Sequence, residues 1–249
     1  MLKSEREQEI LNILRGAGFV SVKQISKALY TSESSIRRAL VSLEEMGMIK
    51  RSYGGAELLT NSSNVTSFIA RIDQNIEAKK EIARKAVALI PDGSVLFLDQ
   101  SSSTFFLAGE LLNKKSLTIV TNNVEILCLL SQTDFKVYSS GGILSTDNRV
   151  CLVGADAQRT FETMHADFAF FSAKSLSSDG VIWDCTREEV LVRETMMKQA
   201  EKKVFLCDSE KYNTHSTYRQ CALSEVDIMI SEGEMAQKYR FCAGTTNLI

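Results

Sequence analysis

A chain of 249 residues has room for two modest domains, since a typical domain runs to roughly 100–200 residues. Hydrophobic residues at 44% and charged residues at 24% are ordinary globular proportions, which exclude disordered, collagenous and disulfide-scaffold chains. The formal charge of -2 excludes a chain coated in positive charge, although residues 1–60 hold nine Lys and Arg against seven Asp and Glu while the remainder holds 20 against 24, so the two ends differ in sign. The six cysteines (Cys128, Cys151, Cys185, Cys207, Cys221, Cys242) form no C-x-x-C pair, and there are only two histidines. Neither a zinc site nor a disulfide framework fits, and the thiols are expected mostly as small buried apolar groups. Residues Met1 to Glu7 lack the apolar core of a secretory signal, and no stretch approaches the roughly 18 apolar residues of a membrane span. A cytoplasmic protein of a reducing compartment, with no membrane partner and no cofactor or metal, is the expectation.

From Ser4 to Arg15, Ile10, Leu11, Ile13 and Leu14 share a helical face, and Gly16-Ala17-Gly18 is the stop. Val20-Ser21-Val22 reads as a short extended entry; Ser21 can cap a second helix on which Val22, Ile25, Ala28 and Leu29 repeat. Thr31-Ser32 opens a third helix with Ile36, Leu40 and Leu43 at i, i+4 and i+7, ending at Met46-Gly47. Met48 to Tyr53 reads as a strand, Gly54-Gly55 as a tight turn and Ala56 to Leu59 as the returning strand. Three helices and a hairpin make a winged helix-turn-helix order over residues 1–60. The polar stretch from Thr60 to Ser67 places a boundary near residue 62 and a linker over 61–73.

Residues 74–249 alternate. A helix from about Gln74 to Leu89 precedes Pro91-Asp92-Gly93, and strand-length apolar runs recur at Ser94 to Leu98, Leu117 to Val120, Phe135 to Tyr138, Phe168 to Phe171, Val204 to Cys207 and Asp227 to Ile230. Helical segments separate several of them: Thr104 to Leu112, Val124 to Leu130, Ala155 to Met164 and Arg187 to Ala200. The fold class expected is α/β, with an open, mostly parallel sheet.

On the third helix the buried stripe leaves Ser34, Ser35, Arg37, Arg38 and Val41 toward solvent, with Ser32 at its start. Paired arginines can reach phosphates and contact guanine, and hydroxyls can address either base edge. The hairpin adds Lys50, Arg51, Tyr53 and Gly54 at the distance of a wing. An isolated Arg-Arg is more often a solvated surface; with the wing behind it, binding to double-stranded DNA is the better reading. Residues 4–59 resemble the DeoR-type helix-turn-helix through Glu5-Arg6, Ile10-Leu11, Val22, Ile25, Ser32, Ser35-Ile36-Arg37-Arg38-x-Leu40, Leu43-Glu44, Gly47-x-Ile49-x-Arg51 and Gly54-Gly55-Ala56. Ala39 departs from the family's usual Asp, and Tyr30-Thr31 from its small apolar residue.

In the second half, the first strand runs into Asp99-Gln100-Ser101-Ser102-Ser103-Thr104 and then a helix, which puts hydroxyls and free N–H groups at a helix N-terminus. Capping requires one such residue, not four. Thr121-Asn122-Asn123, Ser139-Ser140-Gly141-Gly142, Ser172-Ala173-Lys174 and Cys207-Asp208-Ser209-Glu210-Lys211 follow the next strands. In a parallel sheet these ends share the edge where ligands bind. Together these ends suit a phosphorylated polyol: Ser101, Ser102, Ser103, Thr104 and Thr121 with the helix N–H groups for phosphate, Lys174 and Lys211 for its charge, Asp99 and Asp208 for sugar hydroxyls, with Asn122, Asn123, Gly141 and Gly142 as the amide and small residues beside them. Residues 75–232 resemble the DeoR-type effector domain through Asp99 and its hydroxyl loop, Thr121-Asn122, Gly141-Gly142, Val153-Gly154, Phe170-Phe171, Asp179-Gly180, Glu189 and Asp208-x-x-Lys211. The resemblance implies a fold shared with ribose-5-phosphate isomerase and coenzyme A transferases, a phosphorylated sugar effector, and a dimer or tetramer.

A sugar-phosphate isomerase with an appended DNA-binding domain is the competing reading. Its carboxylate base is expected after the fourth strand, where Phe171-Ser172-Ala173-Lys174 has none, and Glu188 and Glu189 read better as stabilising a helix start or touching ligand. No catalytic residue is assigned. The expected function is a repressor of a sugar or polyol operon.

Overall fold

The computed structural model describes residues 3–15, 19–45, 48–58 and 68–249, in two units divided between Asn64 and Val65. The expected stops at 16–18 and 46–47, and the polar stretch 60–67, lie outside the described residues.

The first unit contains α1 (Lys3–Arg15), β1 (Phe19–Ser21), α2 (Val22–Ala28), α3 (Glu33–Glu45), β2 (Ile49–Ser52) and β3 (Gly55–Leu58). Ser21 switches the chain from strand to helix through a reciprocal cap: its Oγ accepts the Gln24 N–H at 3.3 Å, and Gln24 Oε1 accepts the Ser21 N–H at 2.9 Å. The helical spacing read from the sequence buries Ile10, Leu11 and Leu14 of α1 against Ile25, Ile36, Leu40 and Leu43. Each such side chain contributes about 1.5–3 kcal/mol by leaving water. Ala28 stays exposed. Ala39, 4% exposed, joins this core.

The hairpin turn is one residue earlier than expected. Tyr53-Gly54 form it, with Gly54 at φ 84, while Gly55 belongs to the returning strand and pairs with both Ser52 and Ser21. β1 is the reason. It adds a third strand, in the order β1-β3-β2, and approaches so closely that a Cβ on residue 55 would lie 2.3 Å from the Val20 carbonyl oxygen.

The second unit begins with α4 (Phe68–Ile72), so part of the stretch expected as linker is helical, with Phe68 buried edge-to-face against Phe105 at 5.7 Å. There follow α5 (Ile76–Val87), β4 (Val95–Leu98), α6 (Ser102–Glu110), β5 (Thr118–Thr121), α7 (Val124–Leu130), β6 (Lys136–Ser139), β7 (Ile143–Leu144), β8 (Leu152–Val153), α8 (Ala155–Glu162) and β9 (Ala166–Phe171). The chain ends with β10 (Ser175–Leu176), β11 (Val181–Asp184), α9 (Arg187–Lys198), β12 (Ala200–Leu206), β13 (Tyr218–Ala222), β14 (Ile228–Ile230) and β15 (Asn247–Leu248).

Seven strands form one sheet in the order β15-β14-β12-β9-β4-β5-β6, and every pairing in it is parallel. Side chains alternate across it as strand geometry requires. Leu96, Leu98, Ile119, Phe170 and Val204 pack toward the layer of α5, α6 and α7, while Phe97, Val120 and Ala169 pack toward α8 and α9. Two small antiparallel additions, β7-β8 and β10-β11-β13, were not expected. Their strands are two to five residues long.

Strand order reverses beside β4: the chain builds β5 and β6 on one side, then crosses to β9, β12, β14 and β15 on the other. The carboxyl ends of β4 and β9 diverge at this switch point, which is where open α/β sheets form ligand crevices.

Candidate functional site

Two regions carry chemistry. On α3, Ser34, Arg37 and Arg38 are exposed and Ser35 half-buried. Ser32 caps the helix: its Oγ accepts the Ser35 N–H at 3.4 Å and its carbonyl the Ile36 N–H at 3.1 Å. Arg37 donates to Glu33 one turn back at 3.2 Å, and Arg38 to Ser35 Oγ at 3.4 Å. The exposed hairpin carries Lys50, Arg51, Tyr53 and Gly54. Arg51 is tied to α3, its Nε donating to Glu44 Oε2 at 2.6 Å and its N–H to Oε1 at 3.1 Å. These bonds hold the Glu44 carboxyl below its ordinary range. This hairpin therefore stands at a set angle to the helix, at the cost of part of Arg51's positive charge.

The second region is a cavity of about 120 Å³ at the β4/β9 switch point. That is well above the roughly 10–15 Å³ a cavity needs to hold a single water, so it has room for several. Ser101, Ser102 and Ser103 line it from the start of α6, Lys174 from beyond β9, and Asp208 and Lys211 from beyond β12. Six of the residues expected at an effector site are thus brought together.

The remaining expected residues are structural neighbours of the cavity. Asp99 is fully buried and fastens strand ends: Oδ1 accepts from the Ser101 N–H and Thr104 Oγ1, both at 3.0 Å, and Oδ2 from the Ser172 N–H at 3.0 Å and Arg193 Nε at 3.1 Å. Asp99 thus serves to fasten the strand ends and is not among the residues that line the cavity, where a sugar-hydroxyl contact was expected of it. Thr104 donates back into the same turn, to the Asp99 carbonyl at 2.8 Å. Ser101 is the helix cap, its Oγ accepting the Thr104 N–H at 3.2 Å. Asn123 caps α7 by accepting the Glu125 N–H at 2.9 Å, Thr121 Oγ1 accepts the Asn123 N–H at 3.1 Å, and Asn122 donates to the Leu152 carbonyl at 3.2 Å. Gly141 and Gly142 turn the chain at φ 65 and 93. A Cβ on Gly142 would meet the Val153 carbonyl oxygen at 2.4 Å. Trp183 is absent from the cavity lining and donates to Ser177 Oγ at 3.1 Å. His165 is a surface residue 3.6 Å from Glu201, and His215 sits beside Trp183, ring centroids 6.1 Å apart. Of the six cysteines, Cys151, Cys207 and Cys221 are buried and Cys128 is exposed.

Arg71, Lys79, Gln100, Asp184, Glu189 and Arg193 also line the cavity. Arg193, 1% exposed, bridges Asp99 at 3.1 Å and Asp184 at 2.8 Å and donates to Gln220 Oε1 at 2.8 Å. Although burial opposes the charge, the flanking carboxylates hold its pKa above the ordinary arginine value. Glu189 accepts from Gln100 Nε2 at 2.8 Å and Asn148 Nδ2 at 2.9 Å; burial, then the charge of Asp184, pushes its carboxyl up. Asp208 moves the opposite way: burial raises it, but Lys211, which ion-pairs with it, and Asn75 Nδ2 at 3.1 Å bring it below the ordinary range. Acidic groups therefore do reach this cavity, from β11, α9 and the turn after β12 and not from the fourth strand; Asp184, Glu189 and Asp208 already accept hydrogen bonds, and Glu210 also lines it.

Unsatisfied donors set the cavity's character. Ser103 Oγ, and Nε and Nη2 of Arg71, are buried without an acceptor. The N–H groups of Ser102 and Ser103 open α6 and have no intrahelical carbonyl to reach. Helix N-terminus, hydroxyl and guanidinium together give the cavity a cluster of donors, the chemistry that suits an anion.

Residues 6–62 match the DeoR-like helix-turn-helix domain and residues 74–233 the DeoR C terminal sensor domain. The chain is 33% identical to the HTH-type transcriptional regulator GolR of Listeria innocua over 94% of this chain and 92% of that one. It is 31% identical to the HTH-type transcriptional repressor GlcR of Bacillus subtilis, over 93% and 89%, and 29% identical to the glycerol-3-phosphate regulon repressor of Escherichia coli, over 93% and 92%. These relatives are named as regulators and repressors, not as enzymes. A solved ribose 5-phosphate isomerase of Methanocaldococcus jannaschii aligns at a TM-score of 0.42 and 18% identity, over 56% of this chain and 55% of that one. No helix of the described residues is long and apolar enough to cross a membrane. A DNA-binding-type unit followed by a sensor-type unit, matched in that order along nearly the whole chain, makes this protein a member of the DeoR family of transcriptional regulators.

Proposed function

We propose that the protein represses a sugar or polyol catabolic operon, gripping double-stranded DNA through α3 and the β2-β3 wing, and that a phosphorylated sugar or polyol in the switch-point cavity controls that grip. The observation that carries the sensing half is the set of buried, unpartnered donors, Ser103 Oγ and Arg71 Nε and Nη2, beside the open N–H groups of α6. A dianionic phosphate supplies the acceptors they lack. Lys174, which also lines the cavity, remains for the hydroxyls of the carbon chain. The relative named as the glycerol-3-phosphate regulon repressor governs, by its name, a regulon of phosphorylated polyol metabolism. On the DNA side, Arg37 and Arg38 on the exposed face suit phosphate and guanine contacts, and Lys50 suits backbone contact.

Control requires that ligand bind one arrangement of the protein more tightly than another. Winged-helix readers act on paired half-sites as dimers or tetramers; the exposed Ile143 and Leu144 of β7, 70% and 43% accessible, are apolar surface for self-association. Against the isomerase reading, three of the four carboxylates that line the cavity, Asp184, Glu189 and Asp208, are engaged with donors, and the fourth, Glu210, is exposed to solvent.

A thermal-shift panel of sugar phosphates tests the sensing half. A ligand at a hundred times its Kd adds about 2.7 kcal/mol, a rise of roughly 5–10 °C for a unit of this size. The same compounds without phosphate should give no shift; an equal shift from the unphosphorylated sugar would remove the anion site from the account.

A further inference from the structure

Four residues of one short stretch, Arg71, Gln74, Asn75 and Lys79, line the cavity, although α4 and α5 are not strand-end loops. Arg71 stands one residue before the end of a five-residue helix, far too short to persist by its own hydrogen bonds. Tertiary contacts hold it: Phe68 against Phe105, the Arg71 guanidinium 5.6 Å from the Phe68 ring centroid, and the Lys79 ammonium, which donates to the Arg71 carbonyl and to the Gln74 carbonyl at 2.5 Å. Asn75, at φ 51 in the left-handed region, turns the chain from α4 into α5, and its Nδ2 donates to Asp208 Oδ1 at 3.1 Å. The 71–79 corner is thus fastened at Asp208 and by Lys79, while two donors of Arg71 are buried without an acceptor. Guanidinium N–H groups buried without an acceptor are unfavourable unless something answers them.

We infer that this corner is a strap that the ligand tightens, with Arg71 as the positioning residue: a phosphate held by the first turn of α6 also takes the Arg71 fork, and so fixes α4, the first described element after the DNA-binding unit. The inference rests on the cavity being the phosphate site, and it adds the route by which occupancy reaches the chain leading to that unit. A guanidinium suits the task better than an ammonium, because its planar fork can bind two phosphate oxygens while stacking on Phe68.

Hydrogen–deuterium exchange on the full chain, read by mass spectrometry, separates the two readings. The probe is inorganic phosphate, against sodium chloride of equal ionic strength. Phosphate should slow amides at 101–104 and at 68–75 by at least tenfold in the wild type. In Arg71→Lys the slowing should persist at 101–104 and be lost at 68–75. Slowing at 101–104 alone in the wild type would overturn the strap and leave the phosphate site standing. Equal slowing at 68–75 in Arg71→Lys would overturn the role of Arg71. Slowing at neither segment would overturn the phosphate site itself, and the strap with it.

Discussion

The α3 surface and the switch-point cavity both present arginines, in opposite physical settings. Arg37 and Arg38 are exposed, with partners on their own helix at 3.2 and 3.4 Å. Arg193 is 1% exposed and holds together β4, β11 and β13 through Asp99, Asp184 and Gln220. On α3, function is laid on a core that folds without it; in the cavity, the groups that shape the site are also the groups that hold the strand ends in place. Substitutions should therefore separate stability from function in the first region and mix them in the second.

Arg193→Met breaks the comparison hardest. It leaves Asp99 and Asp184 buried without their counter-charge, an expected loss of about 3–5 kcal/mol, read as a lower urea midpoint. A loss under about 1 kcal/mol would mean that the network is decoration. Lys79 comes next. Burial depresses its pKa to about 8, so between pH 8 and the unfolded value near 10.5 the unfolded chain binds the extra proton, and wild-type stability rises with pH relative to Lys79→Met. The rise should reach about 3 kcal/mol at most, complete above pH 10.5 and absent below 8; a flat difference across that window contradicts the buried ammonium.

Arg37→Ala and Arg38→Ala should each leave stability within about 0.5 kcal/mol while costing about 1–3 kcal/mol of specific DNA affinity, measured by fluorescence anisotropy on duplexes from the protein's own promoter region. An unchanged affinity would take α3 out of the interface. Ser103→Ala sharpens the contrast at the small end. Removing a buried hydroxyl that has no partner should leave stability equal or raise it by up to about 1 kcal/mol, while phosphate affinity falls roughly ten- to a hundredfold, the worth of a hydrogen bond to a charged acceptor.

How much was legible follows the same division. The winged unit is local in sequence, so its helices, its wing and the Arg37-Arg38 face could be read from periodicity. The turn was placed one residue late because β1, a three-residue strand, claims Gly55. In the second unit six of the seven strands of the main sheet and five of the six described α-helices were visible as apolar runs, the two-residue β15 being too short to show, and Ser102 and Ser103 were found with them. Their neighbours Ser101 and Thr104 carry the same side-chain chemistry but are consumed in the cap, which residue type alone does not reveal. Arg193 and Arg71 were missed because an arginine on an amphipathic helix reads as solvated, and their partners come from distant segments. α4 escaped because five residues are too few to display a helical period beside a polar stretch.

The most direct test of the central claim measures affinity for promoter DNA by anisotropy during titration with sugar phosphates and with the same sugars unphosphorylated, in wild type and in Ser103→Val. One phosphorylated compound should change DNA affinity at least tenfold, its unphosphorylated counterpart should have no effect, and Ser103→Val should lose the response. An equal response to the unphosphorylated sugar, or a full response in Ser103→Val, would contradict a regulator that senses phosphate at the N-terminus of α6.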